Sequence, residues 1–126
     1  MSENQGSEKS KRFAVRIVRL YKHLMSRKNE YVIARQLLRS GTSVGANIAE
    51  AQYAVTKKDF LNKMQISLKE CNETDYWIEL LHNTDYLTDK EFQSIYNDCR
   101  ELKYLLISIT DKTKRNLNAD KADNAN

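Results

Sequence analysis

With 126 residues, 40% of them hydrophobic and 30% charged, the chain has room for one domain with one core under a wet surface. Aromatics at 9%, seven of them Tyr, exclude a disordered chain, while the lack of Pro and the presence of only three Gly exclude turn-rich β folds and point to long helices. No apolar run reaches the roughly 18–20 residues of a membrane span, and the polar opening Met1–Ser10 has no signal-peptide core, so a cytoplasmic all-α protein is expected.

Four helices are predicted, at about 9–26, 30–54, 57–84 and 89–117, between polar tails at 1–8 and 118–126 expected to be disordered. In the first, Phe13, Ile17, Leu20, Tyr21 and Leu24 form an amphipathic stripe, and Arg27-Lys28-Asn29 make the turn that follows. The second carries Ile33, Leu37, Val44, Ile48 and Ala51 on one side. Thr56 with Asp59 approximates a capping box for the third, which would bury Phe60, Leu61, Met64, Leu68, Cys71, Ile78 and Leu81. Thr88-Asp89-Lys90-Glu91 is a full capping box, and behind it Phe92, Ile95, Cys99, Leu102, Leu106 and Ile109 step by three and four as a heptad seam. Long helices joined by short turns fold back on one another, which gives an antiparallel up-down-up-down four-helix bundle.

Within the second helix, Gly41, Gly45 and Ala49 form a small-residue row suited to close helix packing. The alternative is a break near Gly41–Gly45 with Ser43 capping a second piece. Asn47 and Glu50 share a face with Val44, Ile48 and Ala51, the pattern of a polar clamp inside the core; a ligand site is the other reading.

Residues 39–50, Arg-Ser-Gly-Thr-Ser-Val-Gly-Ala-Asn-Ile-Ala-Glu, resemble the signature of the four-helix-bundle proteins encoded in intervening sequences of bacterial 23S rRNA genes, often labelled a ribosomal protein. The likeness continues through Lys57-Lys58-Asp59-Phe60, Ser67-Leu68-Lys69-Glu70 and Asn72-Glu73-Thr74-Asp75-Tyr76-Trp77, and so covers three of the four helices. Gly45 stands where many members carry Pro, which keeps a kink in the second helix open. The resemblance implies a ring-like pentamer with a basic surface. It also implies kinship with the accessory variability determinant of diversity-generating retroelements, which binds nucleic acid and a reverse transcriptase.

The net charge of +4 is unevenly spread: residues 1–39 hold ten Lys/Arg against three Asp/Glu, and residues 40–126 hold eleven against fourteen. Arg12, Arg16, Arg19 and His23 form one stripe on the first helix, with Lys11 and Lys22 further toward solvent and Arg27, Lys28, Arg35 and Arg39 extending the charge. Guanidinium groups suit phosphate oxygens, and such a row can follow a nucleic-acid backbone without reading bases. A solvated face, or one salt-bridged to acidic residues of another subunit, is the alternative. Zinc-finger, RNP1 and P-loop patterns are absent from the sequence.

An enzyme finds little support. A di-iron bundle needs two Glu-x-x-His pairs and two further Glu, and this chain offers only Glu79-Leu-Leu-His82. Glu70 and Glu73 are expected to ion-pair with Lys63 and Lys69, and Cys71 and Cys99 read as small core residues without a metal or disulfide role. Tyr76, Trp77, Tyr86, Tyr96 and Tyr104 read as bundle or interface aromatics. The resulting expectation is a non-enzymatic homo-oligomer without metal or cofactor that binds nucleic acid, RNA ahead of DNA. A scaffold docking a protein partner such as a reverse transcriptase is the second reading.

Overall fold

Each helix carries a buried seam that steps by three and four, and each seam mixes large apolar side chains with small ones. In the computed structural model, which describes residues 3–125 and side chains from Gln5 to Asn124, the order is α1 Glu3–Ser26, α2 Val32–Ala51, α3 Lys57–Asn83 and α4 Asp89–Ala125. The seams are Gly6, Ser10, Phe13, Ile17 and Leu24 on α1, and Ala34, Leu37, Gly41, Val44, Ile48 and Ala51 on α2. Those of α3 and α4 are Met64, Ser67, Cys71, Thr74, Ile78 and Leu81, and Ile95, Cys99, Leu102, Leu106 and Ile109. A heptad repeat holds such seams against nearly parallel axes, so each helix lies along the two beside it, in the order α1, α2, α3, α4 around the bundle. This is the expected antiparallel four-helix bundle, with no strand among the described residues.

The turns manage without glycine because Asn29 and Asp85 take the left-handed conformation, at φ 53° and 68°, that short polar side chains tolerate. After α3, Asp85 N–H donates to His82 O at 3.2 Å and Tyr86 N–H to Leu81 O at 2.9 Å, the paired bonds of a Schellman ending. Glu30, where α2 was expected to begin, instead lies before it and caps it. Its carboxylate accepts from Ile33 N at 3.1 Å and Ala34 N at 2.7 Å. The Thr88–Glu91 box is reciprocal, with Thr88 N–H donating to Glu91 Oε1 at 2.9 Å and Glu91 N–H to Thr88 Oγ1 at 3.1 Å. At α3, Asp59 N–H donates to Thr56 Oγ1 at 3.0 Å.

Both end helices reach further into the tails than their sequence predicts. Helix α1 starts at Glu3, within the expected tail, because Gly6 is buried against Leu105 and Ile109 and Lys9 pairs with Glu101; these partners are far away in sequence. Helix α4 runs to Ala125, through a stretch where no side chain beyond Thr110 is buried and where Lys57 bonds Asp120 at 2.8 Å. Its polar surface all round left no stripe to read. Residues 1, 2 and 126 of those tails lie outside the described residues. Helix α2 is a single helix with no positive-φ glycine, and Ser43 Oγ donates back to Arg39 O at 2.7 Å, so it caps no second piece.

At Gly41 the side chain of α1 leaves no room for another: a Cβ there would stand 2.8 Å from both Cγ1 and Cγ2 of the buried Ile17. Overpacking of about 1–3 kcal/mol outweighs the ~1 kcal/mol that Ala gains over Gly in a helix. Gly41→Ala should therefore lower stability in a urea titration. Gly6→Ala, whose Cβ would have its nearest contact at 3.6 Å with Leu105, should raise it. The Thr88 backbone N–H holds the Glu91 carboxyl below its ordinary value. A lowered folded value means that the capping contribution is present above the ordinary carboxylate range and is lost as pH falls through the lowered value. Hydrogen exchange at the Thr88 and Glu91 amides should therefore accelerate, relative to the bundle core, in that acid window.

Candidate nucleic-acid interface

The seam of α1 fixes which way every charge on that helix points. With Phe13, Ile17 and Leu24 turned inward, Arg12, Arg16 and His23 lean toward α4, Ala14 leans toward α2, and Val15 and Lys22 point outward; the exposed Lys11 and Arg19 stand at the lips of the grooves toward α2 and α4. Arg16 is therefore not free. Its guanidinium donates to Asp98 Oδ2 at 2.5 Å, to Ser94 Oγ at 2.9 Å and to Ser94 O at 3.3 Å. Arg39 is likewise spent: it faces α3, where it pairs with Glu70 at 3.2 Å and with Glu73. These contacts replace the expected pairing of Glu70 and Glu73 with Lys63 and Lys69. Glu73 also accepts from Trp77 Nε1 at 3.2 Å.

The other seven residues of the predicted surface, Lys11, Arg12, Arg19, Lys22, Arg27, Lys28 and Arg35, are exposed, and their side chains make no hydrogen bond or ion pair among the described residues. From Lys11 to Arg27 they span about 24 Å at 1.5 Å per residue. Arg12 stands over a cleft of about 90 Å³ walled by Lys9, Asp98 and Glu101, so carboxylates of α4 temper the charge there. Nearer the α1–α2 turn, a larger hollow of about 470 Å³ opens between α1 and α4. Leu20, Leu87 and Ile95 line it, with Arg16, Arg19, His23, Lys90, Glu91 and Ser94 around them. Lys90 was missed by sequence reasoning; it belongs to this surface only through the antiparallel register of α4 on α1, which no local pattern reveals.

The predicted core clamp is not formed. Asn47 is half-buried and Nδ2–H donates to Ser43 O of its own helix at 2.8 Å, while Glu50 is exposed and pairs with Lys63 at 2.6 Å. Both stand one step round the helix from the buried line of Val44, Ile48 and Ala51. The polar ties in the core are hydroxyls instead. Ser67 Oγ donates to Val44 O at 2.7 Å and links α3 to α2, and Thr74 Oγ1 lies 2.9 Å from Ser40 Oγ across the same seam. Their signal was available as gaps in the α3 heptad, where a hydroxyl sits in a line of apolar residues. In the row Gly41, Gly45 and Ala49, the first two meet Ile17 and Ser10 of α1, whereas Ala49 is exposed beside them.

The remaining candidates serve packing. His82 stacks on Phe92 at 4.0 Å and its Nε2 lies 2.7 Å from Asp89; Phe92 stacks in turn on Tyr96 at 4.8 Å. Arg100 donates to the hydroxyls of Tyr96 and Tyr104 at 2.7 and 2.5 Å. Cys71 and Cys99 face each other in the core with Sγ atoms 3.9 Å apart, and contact with Cys71 together with burial pushes the Cys99 thiol far above its ordinary value. No group of three or more His, Cys, Asp or Glu among the described residues is placed to hold a metal, and no helix is long and apolar enough to cross a membrane.

Residues 2–108 match the family described as 23S rRNA-intervening sequence protein. A crystal structure described as a protein of unknown function from the S23 ribosomal protein family of Bacteroides thetaiotaomicron is 53% identical, with a TM-score of 0.86 over 88% of this chain and 99% of that one. No curated protein matches.

Ser67→Ala should cost about 1 kcal/mol by removing a buried inter-helix hydrogen bond. Asn47→Ala should stay within ~0.5 kcal/mol of wild type in the same denaturant titration, because its bond is local and half-buried.

Proposed function

The chain belongs to the 23S rRNA-intervening sequence protein family, and on that premise we propose that it is a non-enzymatic bundle that binds nucleic acid, RNA ahead of DNA, through the outward face of α1 and the α1–α2 turn. The observation that carries this reading is the set of seven exposed Lys and Arg side chains that make no ion pair or hydrogen bond among the described residues, in a chain whose Arg16 and Arg39 are both paired. A cation with no internal partner breaks no ion pair when it meets a phosphate, and neutralising phosphates releases condensed counterions. Backbone contact of this kind carries no base preference. A cytoplasmic homo-oligomer, with the pentamer as its expected size, would repeat the surface around a ring and add avidity.

A second reading, a scaffold for a protein partner such as a reverse transcriptase, draws on the α2–α3 turn, where Tyr53 and Val55 are 88% and 90% exposed. Recovery of one stoichiometric protein from nuclease-treated native extract would favour it.

The nucleic-acid reading is tested by titrating salt against binding to a structured RNA, a DNA duplex and heparin. Four phosphate contacts on single-stranded RNA predict a log–log slope of about −3. Replacing Lys11, Arg12, Arg19 and Lys22 by Gln should flatten that slope and cut affinity by tenfold or more near physiological salt, with oligomer mass unchanged. Unaltered binding by that variant would overturn the proposal.

A further inference from the structure

The hollow between α1 and α4 joins an apolar floor to two unpaired cations, whereas the small cleft under Arg12, about 90 Å³, sets Phe13 and Leu102 beside the carboxylates of Asp98 and Glu101. Leu87 and Ile95 are buried and Leu20 half-buried, while Arg19 and Lys90 are exposed with no internal partner. The groove between α1 and α2, about 390 Å³, is lined by small residues with Lys11 its one charged member, and the cleft beside Tyr53, about 300 Å³, mixes Glu50 and Asp59 with Lys63. At about 470 Å³ the α1–α4 hollow is of the size that holds a small planar ligand. One wall is tied to α4. Arg16 is fixed by its bonds to Ser94 and Asp98, so its guanidinium is held as a plane on which a base can stack. Glu91 is tied up in the α4 cap, which limits its reach toward an anionic ligand.

We propose that this hollow seats one unpaired nucleotide, its base over Leu20, Leu87 and Ile95 against the Arg16 guanidinium and its phosphate between Arg19 and Lys90. This rests on the nucleic-acid reading above and sharpens it: the favoured RNA has a bulge, loop or end beside a duplex. An apolar floor rewards a base removed from water, and flanking cations reward the phosphate attached to it. A continuous duplex offers the second but not the first, since its bases are stacked away.

The test compares an RNA hairpin with a fully paired stem against the same stem carrying a single-nucleotide bulge, by fluorescence anisotropy at fixed salt. The bulged RNA should bind about tenfold more tightly, the size of gain one seated base supplies. Ser94→Trp, which fills the hollow and removes one of the bonds that hold Arg16, should abolish that preference while the paired stem still binds through Lys11, Arg12 and Lys22. Equal binding of the two RNAs by the wild-type protein, or a preference that survives in Ser94→Trp, overturns the inference and leaves the surface reading standing. Binding of neither RNA overturns both. As a readout independent of the variant, a free nucleoside monophosphate added to wild-type protein should shift the methyl resonances of Leu20, Leu87 and Ile95; shifts confined to other methyls would place the base elsewhere and overturn the seat.

Discussion

Where Gly41 meets Ile17, the second helix presents bare backbone to a branched side chain at a distance no Cβ could occupy. That contact sets the rotation of α1 about its own axis, and the rotation decides everything on its surface. One helical position is about 100°, so a slip of a single residue would carry Arg16 away from Asp98 and swing Lys22 out of the solvent face. The charged surface thus depends on the packing of two uncharged residues. The small residues elsewhere in the seams, Gly6, Ser10 and Ser67, fit the same scheme of close backbones with little side chain between them.

Much of this was legible in the chain. The helix boundaries near Ser26, Thr56, Asn83 and Asp89 follow from caps and turn residues, whose chemistry is local and unambiguous. The α4 line of Ile95, Cys99, Leu102, Leu106 and Ile109 is legible because its members are all apolar and step as a heptad, while the buried Leu105 and Thr110 fall outside that step and Phe92 is only half-buried. The α3 seam was read with gaps, since Ser67 and Thr74 look like surface residues until a carbonyl on α2 and a hydroxyl on Ser40 are placed opposite them. Asn47 and Glu50 failed in the converse way: their apolar flanks suggested burial, yet the seam passes one position to the side. The partners of Arg16, Arg39 and Gly6 are all distant in sequence, and only the bundle's register brings them together.

The electrostatics follow the same logic at larger scale. The basic first third and the acidic remainder do meet, but within one chain: Asp98, Glu101, Glu70 and Glu73 take up Arg16, Lys9 and Arg39. Those pairs lie along the grooves beside α1 and α2, where carboxylates of the next helix are within reach. Further out on α1, Lys11, Arg19 and Lys22 find no carboxylate within ion-pair reach. A surface of unpaired positive charge is therefore a by-product of placing the most basic helix in a bundle whose acidic residues sit to its flanks rather than in front of it.

The length of α4 separates the molecule into parts of unequal cooperativity. Beyond Thr110 the helix has no buried side chain among the described residues to anchor it, and the Lys57–Asp120 pair is an exposed contact of the kind that salt weakens. Some fifteen residues of helix held this way sit near the length at which an isolated helix is marginal in water. Ellipticity should consequently fall gradually with temperature well before the bundle melts, while the calorimetric transition reports the bundle alone. Two probes of the same protein would then disagree about its stability, and the disagreement would measure the overhang.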